Sequence, residues 1–76
     1  MTEPDKTLDG CRKRSVLIEG HRTSISLEPA FWDELCRIAL DRGVSINHLV
    51  TQIDHARRGN LSSALRLFVL DELKRR

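Results

Sequence analysis

The chain has 76 residues and a mass of 8.7 kDa, which leaves room for one domain at most. A chain this short buries only about 60% of the surface its unfolded form exposes, so a partner or a staple is expected. Hydrophobic residues at 39%, charged residues at 32%, four Gly and two Pro exclude a disordered or collagen-like composition. The longest apolar run, Leu67 to Leu70, falls far short of the roughly 20 residues of a membrane-spanning helix. A net charge of +2 identifies no partner by itself.

Residues 1–13 mix Pro4, Gly10 and charges without an apolar period, a composition that predicts a disordered tail ahead of a folded domain over 14–76. Glu3, Asp5 and Asp9 against Lys6 do not make the basic start of a secretion signal, so a cytoplasmic location is expected. Two cysteines, Cys11 and Cys36, are too few for a disulfide framework and are expected to be free. Charge is uneven along the chain. Arg12, Lys13, Arg14 and Arg22 stand against Glu19 alone between residues 11 and 27.

Ser15 to Ile18 and Arg22 to Leu27 are rich in β-branched residues and read as strands. In the second, Thr23, Ile25 and Leu27 share one face while Arg22, Ser24 and Ser26 share the other, because successive strand side chains alternate. Pro29 suits the first position of a helix running to Arg42, with Asp33 and Glu34 near its positive end and Gly43 as its stop. Phe31, Leu35, Ile38 and Ala39 form the apolar stripe of that helix. Ser45 caps a second helix in which Ile46, Leu49, Val50 and Ile53 recur at helical spacing, ending near Arg58 and Gly59. Asn60 or Ser62 caps a third, with Ala64, Leu65, Phe68, Val69 and Leu73, closing on Lys74 to Arg76.

A ribbon with one apolar face and short amphipathic helices gives a single chain little interior, so two copies are expected to share a core. Antiparallel pairing of Arg22–Leu27 with its copy would bring both apolar faces onto the shared core and leave both polar faces outside.

The strand Arg22 to Leu27, the Pro29 helix, the Gly43-Val44-Ser45 turn and the Ile46 helix together resemble the ribbon-helix-helix family of Arc and MetJ-type repressors. With the Asn60-Leu61-Ser62-Ser63-Ala64 helix the chain is most similar to small bacterial ribbon-helix-helix domain proteins. The resemblance implies a mainly α fold with a short β-ribbon and an extra C-terminal helix, built as an intertwined homodimer. It also implies double-stranded DNA as partner, with the ribbon in the major groove. Arg22, Ser24 and Ser26 then face base edges, arginine being the stronger reader through guanine O6 and N7. Ser45, Ile46 and Asn47 match the family's phosphate clamp at a helix N-terminus. Arg12, Lys13 and Arg14 are secondary phosphate candidates on a flexible arm. The dimer core takes Ile25, Leu27, Phe31, Leu35, Ile38, Leu49, Val50 and Ile53. The implied function is a transcriptional repressor or autoregulator. The alternative is an adaptor or antitoxin-type module that binds a protein through the third helix.

Phe31, Trp32 and Phe68 sit at helical spacing among aliphatics and are assigned to packing. His48 and His55 lack a metal-ligand pattern, Cys36 is an inert thiol on an apolar stripe, and no phosphate loop spans the glycines. No enzyme activity, metal or cofactor is expected. The run Val16 to Ile18 lies outside the minimal family pattern; pairing with the ribbon in the same chain would widen the sheet or obstruct its groove face.

Overall fold

The computed structural model describes residues 11–75. Two strands, β1 (Arg12–Ile18) and β2 (His21–Leu27), precede three helices, α1 (Pro29–Arg42), α2 (Ile46–Ala56) and α3 (Leu61–Lys74). The strands form an antiparallel hairpin that pairs Arg12 with Leu27, Ser15 with Ser24 and Leu17 with Arg22. Its two-residue turn holds Glu19 at φ 52° and Gly20 at φ 82°. Positive φ at both central positions gives a tight turn the twist that the flanking strands need, and glycine meets that demand without a Cβ penalty.

The hairpin corrects one expectation and decides another. Arg12 and Lys13, assigned to a tail, are strand residues whose backbone is ordered by pairing with Leu27 and Ser26. Of the rest of that tail, Cys11 is exposed just ahead of β1 and residues 1–10 lie outside the described residues. Val16 to Ile18 does pair with the ribbon in the same chain, and it widens the sheet: β1 lies edge to edge with β2.

Helix α1 keeps the bounds its Pro and Gly predict. Gly43 adopts φ 72°, its N–H returns to the Leu40 carbonyl at 3.1 Å, and the Val44 N–H reaches the Ala39 carbonyl at 3.0 Å. This closure satisfies carbonyls that the helix end would otherwise leave open. Glu34 lies past the first turn, where its carboxylate holds Arg37 at 2.6 Å instead of facing the helix N-terminus. The Ser45 hydroxyl accepts the His48 N–H at 3.0 Å and caps α2. That helix stops at Ala56, two residues short of Arg58, because Arg57 turns to an extended backbone while its guanidinium bonds Asp54 and the Gly59 carbonyl. Asn60 supplies the cap of α3, accepting the Ser63 N–H at 3.1 Å. Ser62 is thereby left to donate its hydroxyl to the Ser26 carbonyl at 2.8 Å.

The core lies between the inner face of the hairpin and the helices. Val16, Ile18, Ile25 and Leu27 meet Leu35, Ile38 and Ala39 of α1, Leu49, Val50 and Ile53 of α2, and Leu65 and Val69 of α3. Of the residues expected to need a second copy for burial, Phe31 is half-buried against this cluster and the rest are buried within one chain. The interior is larger than the sequence pattern suggests because β1 doubles the apolar sheet face and α3 roofs it. Each fully buried aliphatic side chain stabilises by about 1.5–3 kcal/mol relative to exposure. No helix among the described residues is long and apolar enough to cross a membrane.

Candidate nucleic-acid interface

Alternation along the hairpin decides which side chains leave the core. In β2, Ile25 and Leu27 are buried and Thr23 half-buried, whereas Arg22 and Ser24 are exposed and Ser26 is partly so. In β1, Val16 and Ile18 are buried while Lys13, Ser15 and Leu17 are exposed. The register places Lys13 beside Ser26, Ser15 beside Ser24 and Leu17 beside Arg22 on one outward face. The three residues expected to face bases thus share a surface, and β1 adds three more to it. Lys13 and Arg22 are its charged members, and no carboxylate lies on it.

Backbone hydrogen bonds show how this face is mounted. The Leu17 N–H donates to Asn47 Oδ1 at 3.1 Å, and the Ser26 carbonyl accepts from Ser62. Main-chain groups of the outward-facing residues therefore point to the two outer edges of the hairpin, since directions alternate in an antiparallel ladder. At the β1 edge, Asn47 ties the N-terminus of α2 to the sheet. At the β2 edge, the main-chain groups of Arg22 and Ser24 have no strand opposite them among the described residues. A cleft of about 650 Å³ runs beside that edge between Thr23, Ser24 and Ser26 and the α2–α3 connection, Asp54, Arg57 and Ser62. An unpaired strand edge over an open cleft is a template for another strand.

The helix N-terminus expected to clamp phosphate is assembled as its residue types suggest. Ser45 uses its side chain on His48, and the N–H groups of Ile46 and Asn47 belong to the first turn, where no intrahelical acceptor exists. Farther along α2, His55 Nε2 meets Glu19 Oε2 at 2.5 Å. Helix α2 thus crosses beneath the turn end of the hairpin.

Some cations are held by carboxylates and others, including Arg58 and Lys74 off the sheet, make no ion pair among the described residues. Arg37, Arg42, Arg57, Arg66 and Arg75 all hold acidic side chains. Arg12, Lys13 and Arg22 on the sheet make no ion pair among the described residues and remain available to an external anion. Arg14 does not join them. Alternation turns it inward, where its guanidinium stacks 4.9 Å from the Trp32 ring centroid and its Nε is buried without a hydrogen-bond partner. The flexible-arm placement of Arg14 is therefore corrected to a packed position over α1, and Trp32 keeps its packing role. Cys36 is half-buried, and burial pushes its thiol pKa up, which suits an unreactive thiol.

Beyond β2, Glu28 binds Arg66 of α3 at 2.8 Å, and that hydrogen bond holds the Glu28 carboxyl below its usual range. A depressed folded-state pKa stabilises the fold above the ordinary glutamate pKa and is lost as pH falls through the lowered value. Thermal unfolding should therefore lose stability on acidification below about pH 4.3, and Glu28→Gln should reduce that slope. Equal slopes for both proteins would remove the pair from the acid response.

Sequence reasoning missed Lys13, Ser15 and Leu17 as neighbours of Ser26, Ser24 and Arg22. The signal is the Glu19-Gly20 pair, since a two-residue turn fixes every cross-strand partner in the hairpin.

A family model described as a ribbon-helix-helix domain matches residues 11–73, from just before the hairpin to the last turn of α3. Among solved structures, the chain is similar to an uncharacterized protein from Bordetella pertussis Tohama I. The TM-score is 0.67 at 24% sequence identity, over 91% of this chain and 66% of that one. At this identity the likeness concerns the fold alone, and the chain spans just under two thirds of that protein's length. No curated protein matches. The hairpin, the Pro-started and Gly-ended α1, the Ser-capped α2 and the match across 11–73 agree, and the chain belongs to the ribbon-helix-helix domain family.

Proposed function

We propose that the chain is a homodimeric, sequence-specific DNA-binding protein that acts in the bacterial cytoplasm as a transcriptional repressor or autoregulator. The observation that carries this reading is the outward hairpin face, where Arg22, Ser24 and Ser26 alternate beside Lys13 and Ser15 with the cations unpaired. Pairing of the open β2 edge with its copy generates a four-stranded sheet in the order β1, β2, β2, β1. Its outer strands lie about 14 Å apart, more than the roughly 12 Å width of the major groove. The central β2 pair therefore enters the groove and presents Arg22, Ser24 and Ser26 to base edges. The flanking β1 strands ride at the rims, where Lys13 meets phosphate. Arg12 and the first-turn amides of Ile46 and Asn47 supply further contacts that fix position rather than sequence.

A second reading rests on the groove of about 580 Å³ between α2 and α3, lined by Leu49, Ile53, Ala56, Ala64, Leu67 and Phe68. Leu67 at its rim is 66% exposed. The groove suits a protein partner taken up by an adaptor or antitoxin-type module. One experiment separates the two. Fluorescence anisotropy with the duplex upstream of the protein's own coding sequence should show saturable binding by a dimer that weakens steeply with salt, by about 0.9 in the logarithm of affinity per phosphate neutralised. Absence of DNA binding at low salt, with salt-insensitive capture of one protein lost in Leu67→Glu, would favour the adaptor.

A further inference from the structure

Leu17 is out of place on the outward face. It is 46% exposed at a strand position flanked by polar residues, and the core takes only its neighbours Val16 and Ile18. Its backbone is held by the bond from its N–H to Asn47, so the side chain projects from a fixed point. Its cross-strand partner is Arg22. Because main-chain groups of both residues point to the outer edges, the two form a non-hydrogen-bonded pair, the kind in which side chains approach most closely, with Cβ atoms roughly 4.5–5.5 Å apart.

We infer that Leu17 is a specificity-determining residue that contacts the 5-methyl group of a thymine beside the guanine read by Arg22. The inference rests on the DNA-binding reading and deepens it. The edges of the bases in the major groove are lined with hydrogen-bonding groups, and their apolar feature is the thymine methyl. A leucine side chain offers no hydrogen bond to phosphate or to a base edge. On the major-groove edge of thymine the 5-methyl group lies nearer its own backbone than O4 does, on the side of the groove that a β1 strand riding at the rim follows. The spacing of the Leu17 and Arg22 side chains spans one to two base steps, so the thymine lies within two base pairs of the guanine. Lys13 and Ser15, farther along the same strand, follow the backbone, and Leu17 gives β1 a share in sequence choice.

The test begins with enrichment of duplexes from a random-sequence pool by wild type, Leu17→Ala and Arg22→Ala. Wild type should enrich a site with a guanine and a thymine within two base pairs of it. Leu17→Ala should enrich the same site with that thymine position degenerate, and Arg22→Ala should lose the guanine. In the enriched duplex, replacing that thymine by uracil removes the methyl alone. This should weaken wild type about fourfold, the equivalent of roughly 0.8 kcal/mol for one buried methyl-sized group, and leave Leu17→Ala unchanged. The uracil measurement on wild type needs no variant to fold. An enriched site without a dependence on the thymine methyl overturns the role of Leu17 and leaves DNA binding standing. Enrichment of no sequence by wild type overturns both.

Discussion

Arg22→Ala should weaken binding to the enriched duplex by about 1–3 kcal/mol for each half-site, or roughly 5- to 150-fold, with little loss on random DNA. The expectation follows from what Arg22 does in the free protein. It is exposed on β2 and makes no ion pair among the described residues, whereas arginines on the helices are held by Glu34, Glu72, Asp54, Glu28 and Asp71. Removal of its guanidinium therefore costs the fold little, and a change in binding cannot be traced to unfolding. A planar fork that bonds guanine O6 and N7 is not replaced by an ammonium, so Arg22→Lys should recover nonspecific affinity without recovering discrimination. The salt dependence supplies the decisive readout. If Arg22 reads a base, the slope of log affinity against log salt stays close to that of wild type; if it holds a phosphate, the slope falls by about 0.9 for each phosphate no longer neutralised. Equal weakening on enriched and random DNA together with a flatter slope would move Arg22 from base recognition to the backbone.

Legibility in the sequence tracks how local each signal is. The bounds of α1 follow from Pro29 and Gly43, two residues whose backbone chemistry acts on the spot, and the start of α2 follows from Ser45 in the same way. The end of α2 is harder to read, because Arg57 leaves the helix through bonds to Asp54 and the Gly59 carbonyl that no propensity records. The first residues of β1 are the least legible. Arg12, Lys13 and Arg14 have the composition of a solvated tail, and what makes them strand is a ladder to Ser26, Leu27 and Ile25 across the turn. Arg14 shows the limit most plainly. Its charge argues for an outward arm, yet alternation from Val16 and Ile18 directs it inward, and Trp32, the ring that receives it, comes from the next helix.

The candidate site divides along the same line. Ser24 and Ser26 on the face with Arg22 are visible from the period of two, which needs only one strand. The presence of β1 beside them, and so the width of the sheet that meets the groove, depends on pairing. That width changes the physical picture, because β2 is already paired on one edge and meets a second copy through its other edge alone.

The second large effect concerns α3. Leu65→Ala should destabilise the domain by about 2–5 kcal/mol, as expected when a leucine with no exposed surface leaves a cavity. Total stability for a chain of this size is of order 4–11 kcal/mol, so the substitution removes a large share of it and should lower the midpoint of thermal unfolding by roughly 10–30 °C. Leu67→Ala, two residues on but facing out, should change stability by less than about 0.5 kcal/mol. The contrast tests whether α3 is structural or an appendage to the ribbon and first two helices. Three observations favour the former: Leu65 and Val69 lie in the common core, Ser62 bonds the Ser26 carbonyl on the outer edge of β2, and Arg66 holds Glu28 where β2 passes into α1. Removal of the buried leucine should loosen the helix that braces the reading strand, so DNA affinity and thermal stability should fall together in Leu65→Ala. At a temperature where the variant remains folded, affinity should return toward the wild-type value. A cost below about 1 kcal/mol, measured by guanidinium unfolding with an unchanged slope, would show that the strand and the first two helices stand without α3.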